Sequence, residues 1–212
     1  MQWIKKLFVK RPQSVSDILT DLYSRIDGVY ISKCERFRLE INDTSFTYGE
    51  IEYESFRELL SGVCKPTDKV FYDLGSGTGK AVFCAGLSYD WQRCIGVELL
   101  PGLFQVSEAL QERLVEKIKK NSVYLTRMQA VLFQQENFLQ ADIVGADVVF
   151  INATTMNPVV WGELIQRLKR LKVGARVLVS TRKVEESEFH KLSESMVEMS
   201  WGFCTVRVYE RC

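Results

Sequence analysis

The chain has 212 residues, of which 46% are apolar and 26% are charged, and its formal net charge is +1 at pH 7. These values are ordinary for a globular domain and exclude a disordered chain or a fibrous repeat. A charge so close to zero gives no long-range basic field, so we expect neither a strong nucleic-acid interaction nor attraction to an anionic membrane.

Residues 1–12 form a short basic and apolar segment. Lys5, Lys6, Lys10 and Arg11 alternate there with apolar residues, but the run is too short for the apolar core of a secretory signal or for a membrane span. We interpret it as a helix that docks on its own domain, and the alternative is a contact surface for a partner. Without a signal or a membrane segment, we expect an intracellular protein, either cytoplasmic or nuclear.

The cysteines and the single histidine predict no metal site. The six cysteines contain no C-x-x-C pair, and His190 is the only histidine. This composition disfavours structural zinc and fits a reducing compartment. We expect His190 to lie at the surface.

Residues 1–64 show helical periodicity in two stretches, Val15–Ile26 and Tyr53–Leu60. This pattern predicts a helical N-terminal cap over the functional site, not an independent domain. The rest of the chain, residues 65–212, is predicted to be one compact catalytic unit.

From residue 65 onward, short apolar runs alternate with helical patterns, which is typical of a parallel sheet covered by helices. The predicted strands are Val70–Leu74, Cys94–Glu98, Ala130–Gln134, Asp147–Asn152, Arg176–Ser180 and Cys204–Glu210. The predicted helices between them are Gly79–Leu87, Leu103–Lys119 and Val159–Leu171. The sequence therefore predicts an α/β fold with a doubly wound, mostly parallel sheet.

A glycine-rich loop follows the first predicted strand. Gly75, Gly77 and Gly79 stand between that strand and the next helix, where a turn beneath a ligand requires positive φ and close backbone approach. Glu98 ends the second predicted strand, where a carboxylate can accept hydrogen bonds from both hydroxyls of a ribose. Together they predict a cofactor that contains a nucleoside.

Asp73 and Lys80 distinguish between two classes of such a cofactor. Lys80 replaces the last glycine of the G-x-G-x-x-G pattern of dinucleotide-binding proteins. Asp73 adds a negative charge that is unfavourable beside a pyrophosphate but favourable beside the ammonium and sulfonium of S-adenosylmethionine. We therefore predict a methyltransferase that uses S-adenosyl-L-methionine, and a nicotinamide enzyme is the alternative.

Four stretches of the chain resemble the non-SET histone lysine methyltransferases of the disruptor-of-telomeric-silencing type. They are Tyr48-Gly49-Glu50, the loop 73–79, Gly96-Val97-Glu98 and Phe150-Ile151-Asn152. The resemblance implies a seven-stranded, Rossmann-like class I methyltransferase fold with a helical N-terminal part. It also implies that S-adenosylmethionine is used to methylate a protein lysine, with a histone as one candidate acceptor.

The resemblance also implies which residues contact the cofactor. Asp73, Gly75, Ser76 and Gly77 match the cofactor-binding loop of the family, and Glu98 matches its ribose-binding acid. These roles are carried over only to the residues that stand at matching positions of the family's motif.

Two further pairs match cofactor contacts of the family. Tyr48 and Glu50 match a loop that closes over the methionine end, and the alternative is a plain turn before the next helix. Asn137 and Phe138 match an acid-Phe pair that binds the adenine. This chain has an amide where the family has the acid, and Glu136 is adjacent, so either side chain could bind the adenine amino group.

Asn152 is predicted, together with Tyr48, as a catalytic residue close to the transferred methyl group. Its amide could orient an amine or fix the cofactor, and the alternative is that it only satisfies the backbone of the following loop. The family has a second Asn and two aromatic residues after it, whereas residues 153–156 read Ala-Thr-Thr-Met, so the walls of the lysine channel differ. Trp201 and Phe203 could be walls of that channel or core residues.

We predict an in-line methyl transfer to a neutral lysine amine, whose pKa a narrow apolar channel would lower. No histidine base is required. The predicted partner is a protein with an accessible lysine, and the sequence does not predict an oligomeric state. Two alternatives remain: a small-molecule or nucleic-acid methyltransferase on the same fold, and a pseudo-enzyme that binds the cofactor and serves as an interaction module.

Overall fold

The computed structural model describes residues 14–212, so the basic and apolar segment 1–12 lies outside the described residues. The N-terminal part consists of helices α1 (Val15–Tyr23), α2 (Gly28–Arg38) and α3 (Tyr53–Val63), with a short 3-10 turn at Thr44–Phe46. Ser14 begins α1 with a capping box, in which its hydroxyl accepts from the Asp17 backbone and the Asp17 carboxylate accepts from the Ser14 backbone.

The remaining residues alternate between strands and helices. The strands are β1 (Val70–Leu74), β2 (Arg93–Glu98), β3 (Val131–Gln135), β4 (Val148–Ile151), β5 (Arg176–Ser180), β6 (Phe189–Met199) and β7 (Gly202–Arg211). The helices are α4 (Lys80–Ser88), α5 (Pro101–Ile118), α6 (Ser122–Met128) and α7 (Pro158–Leu168).

The seven strands form one sheet in the order β3-β2-β1-β4-β5-β7-β6. The first five are parallel, and β7 joins β5 in antiparallel fashion before pairing with β6. The chain order reverses between β1 and β4, which leaves a crevice at the carboxyl ends of these strands. The predicted doubly wound, mostly parallel α/β fold is confirmed.

Both faces of the sheet are covered by apolar side chains. The cap helices α1 and α3 share one core with the sheet. The ring of Phe56 in α3 packs edge-on against Phe71 of β1, at 6.2 Å between ring centroids, and at a tilt against Phe150 of β4, at 4.9 Å. Leu22 of α1 is fully buried in the same cluster. The cap therefore packs as part of the same body, and the boundary after residue 64 remains a prediction.

Three elements were not predicted. Helix α2 has a weak apolar face and is held by a polar contact, in which Glu35 Oε2 accepts from the Gly102 backbone at 2.5 Å. Helix α6 is only seven residues long. Strand β6 is an edge strand exposed over most of its length, so it lacks the alternation that would indicate a strand. His190 is exposed, as expected, but lies in this strand.

Most predicted boundaries are within three residues of the observed ones. The strands Val70–Leu74 and Arg176–Ser180 have the predicted limits. The helix predicted for Val159–Leu171 ends at Leu168. No helix within residues 14–212 combines the length and the hydropathy needed to cross a bilayer.

Candidate functional site

An open cleft of about 820 Å³ lies at the carboxyl ends of β1, β2 and β4. The residues that line it come from the loop 47–52 before α3, here called the cap loop, from the glycine loop and from the segments after the strands. They include Tyr48, Gly75, Gly77, Glu98, Asn137, Phe138, Asn152 and Met156. A smaller extension is lined by Glu50, Asp73, Ser76 and Lys80.

The glycine loop has the conformation that its sequence predicts. Gly75, Gly77 and Gly79 have φ values of +88°, +56° and +86°, in the region that only glycine adopts easily. A Cβ on Gly75 would meet no atom within 4 Å, so this residue borders open space. A Cβ on Gly77 would lie 2.4 Å from the ring of Tyr48, so the tyrosine needs a glycine there.

Glu98 ends β2 and faces the cleft. Its two carboxylate oxygens accept hydrogen bonds from the backbone N–H groups of Gly77 and Leu100, each at 2.8 Å. Burial raises the pKa of this carboxyl, and the backbone donors partly oppose that shift. Glu98 therefore ties the glycine loop to the second strand and keeps further lone pairs for a ligand.

Asp73 is a buried carboxyl beside the glycine loop, in the extension of the cleft. Only 3% of the residue is exposed, and no hydrogen bond from the described residues offsets the loss of water. Burial, and then the charge of Glu98, raise the pKa of Asp73 to about 8. A cation placed in the cleft would reverse this shift, and no cation among residues 14–212 pairs with Asp73, so its carboxyl is available to a cationic ligand.

Tyr48 and Glu50 lie directly above the glycine loop. The Tyr48 hydroxyl donates to Glu50 and lies 2.7 Å from the hydroxyl of Thr78. Lys80 neutralises the carboxylates of the cap loop, since its Nζ lies 3.4 Å from Glu50 and 3.0 Å from Glu52. Burial, followed by the charge of Glu50, raises the pKa of Tyr48 well above 10. The phenol therefore stays protonated at neutral pH and is not a base.

The cap loop is attached to the tip of the β6–β7 hairpin. The Glu50 carbonyl accepts from the Ser200 N–H at 2.8 Å, and the Glu50 N–H donates to the Ser200 hydroxyl at 3.1 Å. Ile51 forms an antiparallel bridge with Met199. Trp201 packs on Gly49 so closely that a Cβ there would lie 1.9 Å from the indole ring. Trp201 is 45% exposed and Phe203 is 69% exposed, so neither is a core residue.

Asn152 follows β4, and both lone pairs of its amide oxygen accept hydrogen bonds within the protein. Its Oδ1 accepts from the hydroxyls of Ser180 at 2.7 Å and Thr154 at 3.0 Å. Its Nδ2 donates to the Gly49 carbonyl at 3.2 Å, which leaves one N–H for the cleft. The amide therefore contacts the cap loop as well as the strand ends, and its role beside the transferred methyl stays a prediction.

Asn137 and Phe138 line the far end of the cleft, whereas Glu136 is outside its lining. The Asn137 Oδ1 accepts from the Leu139 backbone at 2.9 Å, which fixes the side chain in an Asx turn. The second lone pair of this oxygen stays available to accept from an adenine amino group. The geometry therefore favours Asn137 over Glu136 as the base-binding residue.

The sequence did not identify Thr78, Ser180 and Ser200 as site residues. Each contacts a predicted residue: Thr78 contacts Tyr48, Ser180 contacts Asn152, and Ser200 contacts Glu50. Two of them gave a signal, since Thr78 lies in the glycine loop 73–79 and Ser180 is a polar residue that ends an apolar strand. Within residues 14–212, no group of three or more His, Cys, Asp or Glu side chains is arranged to hold a metal ion.

The fold resembles known methyltransferases. A solved structure titled as an RNA methyltransferase from Salinibacter ruber in complex with S-adenosyl-L-homocysteine is 26% identical to the chain. It superposes with a TM-score of 0.54 over 75% of this chain and 89% of that one. This similarity, together with the sheet order, shows the Rossmann-like class I methyltransferase fold.

Sequence relatives place the chain in a family. Two proteins named histone-lysine N-methyltransferase, H3 lysine-79 specific, are each 26% identical, one from Drosophila melanogaster over 80% of this chain and one from Emericella nidulans over 77%. The chain spans only 9% and 32% of their respective lengths. The family model described as histone methylation protein DOT1 matches residues 31–209. The chain therefore belongs to the DOT1 family of histone methylation proteins.

Proposed function

We propose that this protein is a lysine N-methyltransferase that uses S-adenosyl-L-methionine, with a histone as one candidate acceptor. The observation that carries the proposal is the pair of buried carboxylates beside the glycine loop. Glu98 is engaged with the backbone, and Asp73 has neither a cation nor a hydrogen-bond donor among the described residues. A cationic nucleoside is the kind of ligand that such a cleft would bind.

The residues of the cleft fit this cofactor from end to end. Asp73 would bind the ammonium and sulfonium of the methionine end, and Glu98 would accept from the ribose hydroxyls. Asn137 and Phe138 would contact the adenine, and Tyr48 with Glu50 would close the loop over the methionine end. When bound, the cofactor supplies a methyl group on a positively charged sulfur.

The acceptor would reach the cleft between the cap loop and the ends of β4 and β5. Asn152 lies on both the main cleft and its extension, and the exposed Trp201 covers the adjoining Gly49. The activity is proposed inside the cell, in the nucleus if the acceptor is a histone.

Transfer of labelled methyl tests the proposed function. The purified chain is incubated with labelled S-adenosylmethionine and with histone octamers, nucleosomes, total RNA or a cell lysate. We expect label on a protein lysine, identified by mass spectrometry. Label on RNA or a small molecule would point to the other acceptor classes, and cofactor binding without any transfer would support a pseudo-enzyme.

We expect Glu98→Ala to weaken binding of S-adenosylmethionine by about 1–3 kcal/mol, the cost of losing a charged hydrogen bond. The loop also loses one of its ties to β2, the bond from the Gly77 N–H to the carboxylate, while the N–H groups of Gly75 and Ser76 still donate to the Val97 carbonyl. Calorimetric titration measures the affinity. Glu136→Ala is the matched control, since this acid is outside the cleft lining and should leave binding unchanged. Equal effects of the two variants would contradict the placement of the ribose.

We expect Asn152→Ala to lower turnover by about 10-fold or more while cofactor affinity changes much less, because positioning errors act on the transfer step. The variant removes the bond to the Gly49 carbonyl and the acceptor of two hydroxyls. Single-turnover methyl transfer and calorimetry separate the two quantities. A loss of affinity as large as the loss of turnover would assign Asn152 to the cofactor side.

A further inference from the structure

Strand β7 is longer than the stretch of β5 that pairs with it. The last residue of β5, Ser180, is in register with Val206, and one further hydrogen bond runs from the Thr181 N–H to the Thr205 carbonyl at 2.7 Å. Strand β7 begins at Gly202 and has only β5 and β6 as neighbours in the sheet. Residues 202–204 therefore stand above the carboxyl end of β5, with no strand beside them on that side.

Thr181 turns the chain away from β7. Its φ is +63°, a conformation that a β-branched residue keeps only where its surroundings impose it. The next N–H, that of Arg182, turns back to the Ser180 carbonyl at 2.6 Å. In a regular antiparallel pair the Thr181 carbonyl would accept from the Thr205 N–H, but here it accepts from Arg207 Nη1 at 2.8 Å. The pairing of β5 with β7 therefore stops at this level.

Three main-chain groups of β7 are left without a partner. Along an antiparallel strand, each residue turns its N–H and its C=O to the same side, and successive residues turn them to opposite sides. Because the Thr205 carbonyl binds Thr181, Thr205 and Phe203 face the side of β5, whereas Cys204 faces β6. Within residues 14–212, no group pairs with the Phe203 N–H, the Phe203 carbonyl or the Thr205 N–H. We call these three groups the β7 edge.

The β7 edge borders the candidate active site. The tip of the β6–β7 hairpin contacts Gly49 and Glu50 of the cap loop, and both residues line the extension of the cleft. On its other side β5 pairs with β4, which is followed by Asn152 in the same lining. A chain paired with the β7 edge would lie over the end of β5, about 4.8 Å from the line of β4. It would therefore pass beside the residues that line the extension.

The side chains around the β7 edge fit a polypeptide better than a nucleic acid. Phe203 is 69% exposed and supplies apolar surface for a neighbouring side chain. Glu198, which is in register with Phe203, is an exposed acid. Arg207, two residues beyond Thr205, pairs with Glu194 at 2.9 Å, so its charge is neutralised. These charges would repel phosphates and attract a segment that contains lysine.

We propose that the β7 edge binds the acceptor polypeptide as an extended segment, which adds a short strand to the sheet and holds its lysine at the cleft. The inference rests on the proposed function and concerns the main chain of the acceptor, not the group that meets the cofactor. An acceptor residue opposite Phe203 exchanges two hydrogen bonds with it, and the Thr205 N–H can give a third.

Two properties of the acceptor follow from this contact. Its lysine lies in an extended or unfolded segment, because the main-chain groups of a helix are already paired with one another. Recognition through the main chain also tolerates different sequences around the lysine, and an apolar side chain opposite Phe203 adds contact. A lysine within a helix should therefore be a poor acceptor.

The first test uses a lysine peptide library as the acceptor probe. Its members are short linear peptides with one central lysine and mixed flanking residues, so no recognition sequence has to be known. The full chain and labelled S-adenosylmethionine should label this library. Further libraries each carry an N-methyl group on one flanking main-chain nitrogen. We expect a loss of about 5-fold or more, the usual value of a hydrogen bond, at positions two residues apart and little loss between them.

Variants of Phe203 test the β7 edge from the side of the enzyme. Phe203→Ala removes the ring alone, whereas Phe203→Pro removes the ring and the N–H. We expect kcat/KM for the library to be about 5-fold or more lower for Phe203→Pro than for Phe203→Ala, with equal cofactor affinity. Met196→Pro is the matched control, because Met196 is in register with Thr205 and turns its N–H to the outer side of β6. It should retain the wild-type rate.

Three outcomes would overturn the inference alone. The first is equal rates for Phe203→Pro and Phe203→Ala, together with an N-methyl scan without alternation. The second is a wild type that labels folded nucleosomes but not the libraries. The third is a wild-type dimer in sedimentation that Phe203→Pro abolishes and Phe203→Ala does not, which would assign the β7 edge to a second copy of the chain.

A wild-type chain that methylates no lysine, in the libraries or in any protein, would overturn the proposed function and the inference with it. Thermal unfolding verifies that each variant folds. The N-methyl scan uses the wild type, so it decides the question if Phe203→Pro does not fold.

Discussion

Asp73→Asn should abolish most of the cofactor affinity and make the protein more stable at alkaline pH. Asparagine has nearly the shape of aspartate but no charge to offer to an ammonium or sulfonium, so we expect binding to weaken by about 1.5–3 kcal/mol. Calorimetry with S-adenosylmethionine measures this loss. The same substitution removes a buried acid that is costly to ionise in the free protein.

The sign of the stability change follows from the pKa. The folded pKa of Asp73 is about 8, and the ordinary value is 3.8. Between these values the folded state binds more protons than the unfolded state, so the free energy of unfolding of the wild type falls as pH rises through this window. Asp73→Asn should lack this decrease, and its stability advantage should reach its full size above the folded pKa.

Two measurements check the assignment. Chemical unfolding at several pH values should show the gap between the variant and the wild type growing up to about pH 8. Cofactor binding to the wild type should release protons near neutral pH, which calorimetry in buffers of different ionisation enthalpy detects. Asp142→Asn, which changes an exposed acid, should do neither. An Asp73→Asn protein that binds the cofactor normally would place the cationic end elsewhere.

Arg176→Ala should lower the free energy of unfolding by about 3–5 kcal/mol, the usual cost of leaving a buried charge without its partner. Arg176 is the first residue of β5, at the amino-terminal end of the parallel strands and so opposite the cleft. Its guanidinium pairs with the Asp68 carboxylate at 2.5 Å. It also donates to the Val63 carbonyl at 3.0 Å, so it joins the end of α3 to the sheet. The substitution leaves Asp68 buried and unpaired.

Urea unfolding measures the effect of Arg176→Ala, and two further variants test its cause. Asp68→Ala combined with Arg176→Ala should cost clearly less than the sum of the single changes, because the two groups are coupled. Arg57→Ala removes an exposed ion pair with Glu54 and should cost no more than about 1 kcal/mol. Cofactor affinity of folded Arg176→Ala should stay close to the wild-type value. Strictly additive losses would show that the ion pair is not the cause.

Local sequence patterns predicted the parallel part of the sheet well. Strand β4 is a continuous apolar run, and β5 is one between Arg176 and Ser180; both strands are buried along their length, and such runs carry a strong signal. Strand β6 is different, since its polar residues adopt the strand conformation only through pairing with β7. Helix α2 likewise depends on the contact of Glu35 with the start of α5.

The site shows the same division. The positive φ of the loop glycines and the position of Glu98 at a strand end follow from local backbone requirements, so the sequence was sufficient to predict them. The sequence did not indicate that Asn152 would give its oxygen to Ser180 and Thr154. These partners come from different strand ends, and only the packed sheet brings them together.

The sequence by itself determined the class of fold, the glycine loop with its two acids, and the family to which the chain belongs. These properties depend on short segments, in which the residue types and their spacing fix the local backbone conformation. Only the tertiary structure decided that Lys80 neutralises Glu50 while no cation of residues 14–212 pairs with Asp73, and that the oxygen of Asn152 accepts from Ser180 and Thr154. Charge balance and hydrogen-bond direction depend on groups that are distant in the chain, and folding is what places them in contact.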